Sequence, residues 1–208
     1  MNQQQKELNI TFDAKIHIAT GKSRKETKWK NQEIAWSQLV EKLAYTTRTR
    51  ETMAQYNAMT KDQRSAIKDV GGFVGGVVKG GRRKAGNVQE RSLITLDADF
   101  AEFNPWANIQ ILFGNAAVIY STHSHTPKRP KLRVVMPLAR KVTAEEYEAL
   151  SRFIAYKIDI EIFDDTTYQP ERLMYWPSTA DGAEYIFEYQ DGPFLDPDLI
   201  LEEYPHRS

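Results

Sequence analysis

From residue 92 onward the apolar positions recur first at strand spacing and then at helix spacing. Leu93-Ile94-Thr95-Leu96 predicts a buried strand over Ser92 to Asp99, ending in Asp97-Ala98-Asp99. Asn104-Pro105 supplies an N-cap and a first helical position, Trp106, Ile109 and Phe113 form the apolar stripe of that helix, and Gly114 closes it. Strands are predicted over Ala116 to His125 and Lys131 to Leu138, joined by the basic turn Thr126-Pro127-Lys128-Arg129-Pro130. Thr143-Ala144-Glu145-Glu146 is a capping box, followed by a helix carrying Tyr147, Leu150, Ile154 and Ile158 and by a strand-like Ile160-Glu161-Ile162-Phe163. The order β-α-β-β-α-β predicts an α+β fold, an RRM-like (ferredoxin-like) sheet with its helices on one face. Arg172 to Trp176 and Glu184 to Tyr189 add strands, Asp181-Gly182 and Asp191-Gly192 read as turns, and Asp196-Pro197 opens a short last helix.

The first 70 residues have a different texture. Residues 9 to 19 alternate, with Ile10, Phe12, Ala14, Ile16 and Ile18 on one face, and predict a half-buried strand. Trp36, Leu39, Val40 and Leu43 predict a helix over about 32 to 45, and Thr60-Lys61-Asp62-Gln63 is a capping box for a short helix through Lys68. Seven of the eleven glycines then fall between Gly71 and Gly86, interleaved with Phe73, Val74, Val77 and Val78, which reads as a loop or ragged hairpin. The chain therefore divides on paper into an N-terminal α/β extension (1–70), a Gly-rich basic loop (71–91) and an RRM-like core (92–208), all within one domain.

At 208 residues, with 41% hydrophobic and 27% charged side chains, the chain is globular and long enough to bury a core without disulfides or a structural metal. It has no cysteine, which excludes thiolate catalysis and Cys-based zinc sites and suits a reducing, cytoplasmic location. No apolar run approaches the roughly 20 residues of a membrane helix, so no membrane partner is expected. Basic and acidic residues balance at 28 each, which argues against a binder held to nucleic acid by net charge alone. The distribution is uneven, however: residues 21 to 91 are rich in Lys and Arg, and the last 50 lean acidic.

Three constellations could carry chemistry. Asp97 and Asp99 sit at positions i and i+2 of one strand, so both carboxylates share a face and can reach a common hard cation, Mg²⁺ or Mn²⁺. An isolated pair of this kind more often caps a turn, but a strand this apolar rarely ends in two carboxylates without a purpose. In Ser121-Thr122-His123-Ser124-His125 the same alternation puts Ser121, His123 and His125 on one face, suited to a triphosphate or another anion. Taken singly, each histidine is more often a surface or capping residue. In Phe163-Asp164-Asp165, an Asp at a strand end could complete a three-carboxylate metal site, and Arg172 could meet phosphate through its guanidinium fork; alone, this segment is better read as a turn. Arg82, Arg83 and Lys84 of the Gly-rich segment could contact a nucleic-acid backbone, although a solvated connection is as good a reading. Gly21-Lys22-Ser23 lacks the first glycine of a P-loop.

In order, hydrophobic-Asp97-x-Asp99, Ser121-x-His123 and Phe163-Asp164 resemble the DxD, SxH and hydrophobic-Asp motifs of archaeo-eukaryotic-type primase-polymerases. The surrounding residues, Arg91 to Asp99, Tyr120 to His125 and Arg172 to Ser178, are similar to the N-terminal region of phage and mobile-element (virulence-associated E-like) primase-helicase proteins. The resemblance is strongest over about residues 70 to 192. It implies an RRM-like catalytic palm and two-metal, template-directed nucleotidyl transfer on a single-stranded DNA template with NTPs or dNTPs. Asp97 and Asp99 would bind both metals, Asp164 or Asp165 would complete the site, and His123, or His125 in its place, would contact the triphosphate. Arg133 and Lys131 are further triphosphate candidates. A replicative helicase, in cis or in trans, is the implied partner, and the chain has no Walker motif of its own. Two rivals are a rolling-circle or relaxase-type nuclease that uses His123 and His125 on one metal, and a non-catalytic single-strand-binding module.

Overall fold

The computed structural model describes residues 8–203. In chain order the first half contains β1 (Lys15–Gly21), β2 (Lys30–Ala35), α1 (Trp36–Ala44), β3 (Thr47–Thr52), α2 (Met53–Ala58), α3 (Lys61–Ile67), β4 (Gly72–Val74) and β5 (Gly76–Val78). The second half contains β6 (Val88–Ala98), α4 (Trp106–Leu112), β7 (Ala117–Ser121), β8 (Leu132–Val142), α5 (Ala144–Ile158), β9 (Met174–Tyr175), β10 (Ser178–Asp181), β11 (Phe187–Gln190) and α6 (Pro197–Glu203). No helix among the described residues is long and apolar enough to cross a membrane.

A five-stranded antiparallel sheet, ordered β11-β7-β8-β6-β5, forms the centre. Its β6-α4-β7-β8-α5 portion is the predicted β-α-β-β-α series, so the α+β, RRM-like reading describes the fold. The capping boxes at Thr60 and Thr143 both form, each threonine side chain accepting the N–H three residues on. The expected fourth strand differs. Ile160–Ile162 is a 3₁₀ turn, capped by the Asp159 carboxylate accepting from Glu161 N–H. Along the same edge of β6, β5 pairs with the start of the strand, at residues 88–91, and Asp97 N–H near its end is taken by the Thr167 hydroxyl. The turn nevertheless stays against the end of β6, because Phe100 N–H bonds to Ile162 O at 3.0 Å and Asp164 N–H to Asp97 O at 2.9 Å.

Both faces of the central sheet are covered. Ile94, Leu96 and Ala98 of β6, with Ile119, Val134 and Met136, pack under α4 and α5. Leu93, Val118, Tyr120 and Val135 face the other way, onto Ile16, Ile18, Trp36, Leu39 and Phe73 of the N-terminal layer. That layer is a four-stranded sheet ordered β2-β1-β4-β9, and a separate parallel pair joins β10 to β3. Residues from both ends of the chain thus share sheets.

Several boundaries depart from the alternation pattern. The first strand starts at Lys15 rather than near residue 9, because the Thr11 and Phe12 N–H groups bond to the Asp191 carboxylate instead of a strand. Residues 30–35 are a strand paired to β1, with Ile34 opposite Ile16, and the helix begins only at Trp36. The Gly-rich segment is not a loop but two short buried strands in different sheets, β4 beside β1 and β5 beside β6. Glycine is required at the second by contact: a Cβ on Gly76 would lie 1.9 Å from Glu90 O. The strand after Ala116 stops at Ser121, since Thr122 and His125 form a turn whose N–H groups bond to Lys131 O and Thr122 O. Beyond Leu173, only Met174–Tyr175 and Phe187–Gln190 form the two late strands, and β10, which periodicity did not reveal, lies between them.

Candidate active site

The site is built on the last residues of β6. Arg91, fully buried, donates to Leu93 O, Pro170 O and Thr95 Oγ1, and its guanidinium lies 3.9 Å from the centre of the Tyr147 ring. Thr167 accepts the Asp97 N–H at 2.9 Å and donates to Thr95 O, and Tyr147 OH donates toward Thr95 O at 3.1 Å. This buried network pins the 164–172 segment against β6, and the segment carries Asp164 and Arg172.

At the end of β6 is a cleft of about 600 Å³. Asp97 and Asp99 line it together with Lys131, Arg133 and Arg172. In register, Asp97 of β6 stands opposite Arg133 of β8, and Arg133 opposite Tyr120 of β7. Asp97 Oδ1 lies 3.3 Å from Arg133 Nε and Asp97 Oδ2 3.3 Å from Arg172 Nη2, while Asp99 Oδ1 lies 3.3 Å from Lys131 Nζ. The first of these contacts is an ion pair without hydrogen-bond alignment, so Asp97 Oδ1 and Arg133 Nε are buried with no hydrogen-bond partner. Burial alone would weaken the Arg133 charge, but Asp97, then Tyr120 and Asp99, outweigh it and move its pKa upward. Tyr120 is pushed up to about 12, mainly by burial.

Asp164 does not line the cleft, whose third acid is Glu171, but it is tied to the end of β6. Its backbone is hydrogen-bonded to Asp97, and its Oδ2 lies 3.9 Å from the Arg172 guanidinium that also meets Asp97. Its Oδ1 accepts from the Thr166 N–H and hydroxyl. Burial opposes its charge, but the two Thr166 bonds, with Arg172 and Lys131, hold its pKa below the ordinary value of 3.8. Asp165 is exposed and lines a separate cavity with Tyr168 and Arg152, away from the cleft.

Ser121 and His123 line the cleft, whereas His125 does not. Both His123 nitrogens are engaged: Nδ1 with Ser178 Oγ and Nε2 with Glu51 Oε1, each at 2.9 Å, and the ring lies 4.5 Å from that of Tyr56. Burial lowers the His123 pKa despite the opposing pull of Glu51, so the ring is neutral, its Nε2–H donating to Glu51 and its Nδ1 accepting from Ser178. His125 instead accepts the Lys131 N–H at Nδ1, and its Nε2 lies 3.8 Å from Glu184. The two histidines therefore serve different partners, and the shared face expected from strand alternation is lost in the turn after Ser121. Among the described residues no three His, Cys, Asp or Glu side chains are grouped to hold a metal ion. The Arg172 guanidinium meets both Asp97 and Asp164.

Sequence reasoning missed several members of the site. Lys68, Arg24 and Lys25 line the cleft from the N-terminal half, and Glu171, Tyr175 and Ser178 from the C-terminal half. Lys68 has its pKa lowered by burial first and by the Arg133 charge next, with Asp97 and Asp99 opposing. Of the basic run in the Gly-rich segment, Arg83 reaches the cleft, donating to Glu171 O and Arg24 O, while Arg82 and Lys84 are exposed and outside it.

The architecture is similar to that of a solved primase-polymerase domain. The AEP domain of the cyanophage S-2L primase-polymerase (PrimPol) superposes with a TM-score of 0.50 over 92% of this chain and 90% of that one, at 13% sequence identity, which establishes a shared fold. The chain matches the VapE N-terminal domain over residues 1–207 and belongs to that family. No curated protein matches the chain.

Proposed function

We propose that the cleft is a metal-dependent nucleotidyl-transfer site that builds or extends a primer on single-stranded DNA in phage or mobile-element replication. The observation that carries this reading is the charge arrangement: Asp97 and Asp99 open onto one cleft with seven cationic side chains, Arg24, Lys25, Lys68, Arg83, Lys131, Arg133 and Arg172. Such a surplus of positive charge around three carboxylates, these two and Glu171, suits a nucleoside triphosphate, NTP or dNTP, with its cations.

The donor set fits Mg²⁺ or Mn²⁺. Both acids offer hard oxygens, and the unsatisfied, buried Oδ1 of Asp97 is the kind of atom a cation would satisfy. Asp97 and Asp99 would hold both metals, with Asp164 contributing the oxygen that Thr166 leaves free. The pair of ions would supply a lowered pKa for an attacking 3′-hydroxyl and charge neutralisation for the pyrophosphate leaving group. The chain's own part is electrostatic and positional: Lys131, Arg133 and Arg172, now paired to the acids, would turn to the triphosphate, and Lys68 would face it from α3's end. Asp164 would keep Arg172 aimed into the cleft. His123 would act from the cleft wall, through Ser178 or, with Glu51 displaced, directly. A replicative helicase would supply strand opening.

The test is incorporation of labelled nucleotide on single-stranded DNA with Mg²⁺ or Mn²⁺, comparing the wild type with Asp97→Ala/Asp99→Ala and with the milder Asp97→Asn/Asp99→Asn. Removing Asp97 strands a buried Arg133, at a cost of about 3–5 kcal/mol; the Asn variant and a thermal melt therefore separate lost chemistry from lost folding. The expected result is product from the wild type alone. Equal product from a folded Asn variant overturns the assignment.

A further inference from the structure

Outside the cleft, the N-terminal sheet carries a second groove of about 690 Å³. Lys22 and Lys28, from the connection between β1 and β2, stand along it with Lys30 of β2 and Lys42 of α1. Among the described residues the lysine ion pairs are those of Lys131, Lys141 and Lys157, and the groove lysines make none. The one acid on the groove, Glu26, is turned back on its own loop, where Oε1 accepts from the Thr27 and Lys28 N–H groups. In a chain of zero net charge, four ammonium groups lining one groove with no carboxylate partner among the described residues make a surface for a polyanion.

Trp176 identifies the kind of polyanion. Its indole borders both this groove and the acidic-basic cleft. It stacks on Phe73 at 4.9 Å and 27°, and the Lys42 ammonium lies 4.1 Å from its ring centre. A backbone bond from Trp176 N–H to Gly71 O, at 3.0 Å, fixes it at the ridge between the two depressions. A half-exposed aromatic ring held rigid beside a row of lysines offers what an unpaired strand needs: a face for one base and cations for the phosphates on either side. A duplex has no free base face to offer it.

We infer that the groove lined by β1, β2 and α1 binds single-stranded DNA and leads it past Trp176 to the cleft. Its role as a template track rests on the nucleotidyl-transfer reading; strand binding itself does not. Lys42 would leave the indole for a phosphate as a base takes its place.

The test is fluorescence anisotropy of a labelled oligo-dT over a salt series, with the full chain and with Lys30→Gln/Lys42→Gln, neither residue being part of the cleft. For a single strand the slope of log affinity against log salt is about 0.7 per phosphate neutralised, so the double variant should bind on the order of tenfold more weakly at low salt, with a slope shallower by about 1.4. Nucleoside triphosphate binding to the cleft, measured by calorimetry, should be unchanged in the same variant. Unchanged oligo-dT affinity, no affinity in the wild type, or tighter binding of a duplex of equal length each overturns the inference. The two readings fail separately: a wild type that incorporates no nucleotide but whose strand affinity depends on Lys30 and Lys42 retains the groove and loses the polymerase.

Discussion

Thr167 is a small side chain with a large positional role. Its hydroxyl accepts the buried Asp97 N–H and donates to Thr95 O, so it both seats the first acid and ties down the segment that brings Asp164 and Arg172. Thr167→Val keeps the shape but leaves that N–H unpaired in a dry interior, and should cost about 1–3 kcal/mol in urea unfolding. A change within error would show that Asp97 does not depend on this bond. Nothing in the sequence marked Thr167 for this role, since a hydroxyl that bonds a strand 70 residues away in sequence carries no local signature. The charged residues that are neighbours across the sheet, Asp97 and Arg133, were each legible as candidates. Their pairing was not, because register depends on where β6 and β8 begin.

At the scale of elements, the parts that local chemistry governs were readable: both capping boxes, the stripe of α5, and the β6-α4-β7-β8 succession. What escaped depended on tertiary contacts. Ile160–Ile162 has a strand's composition, yet the Asp97 N–H of β6 is taken by the Thr167 hydroxyl, and Asp159 closes a turn instead. Ala116 to His125 reads as one strand, but the bonds of Thr122 and His125 end it at Ser121 and send His123 and His125 to different partners. The Gly-rich segment looked like a loop or ragged hairpin because glycine normally loosens a chain; here it admits close strand approach. Gly76→Ala would drive a methyl group into Glu90 O and should unpair β5 from β6, whereas Gly86→Ala meets open space and carries only the strain of its φ of 75°, about 1 kcal/mol. Thermal melts of the two variants should differ widely; equal melts would mean that β5 is not needed at the edge.

Across the whole molecule, acid sensitivity follows from histidines that the fold holds neutral. Burial lowers the pKa values of His123 and His125 from the ordinary 6.5. The unfolded chain then binds more protons than the folded one just below that value, so stability falls as pH drops from about 7 through the folded-state values. Glu51 adds to this further down: burial raises its pKa, but its bonds to Thr49, its own backbone and His123 give a net lowering below 4.5, and its contribution is lost as pH falls through that lowered value. Melting temperature against pH should therefore decline below neutrality, with a shallower decline in His123→Gln; a profile flat from pH 7 to 5 would contradict the neutral assignment.

Met174 and Tyr175 form the outer strand of a sheet whose other members all lie before residue 75. On a ribosome, the N-terminal sheet therefore waits until Tyr175 has been made before its last edge can be zipped, with β4 lacking that neighbour throughout. Pairings between such distant stretches close slowly and leave edges open meanwhile. Assembly of the cleft, which draws on residues from Arg24 to Ser178, is thus a late event in the life of each nascent molecule.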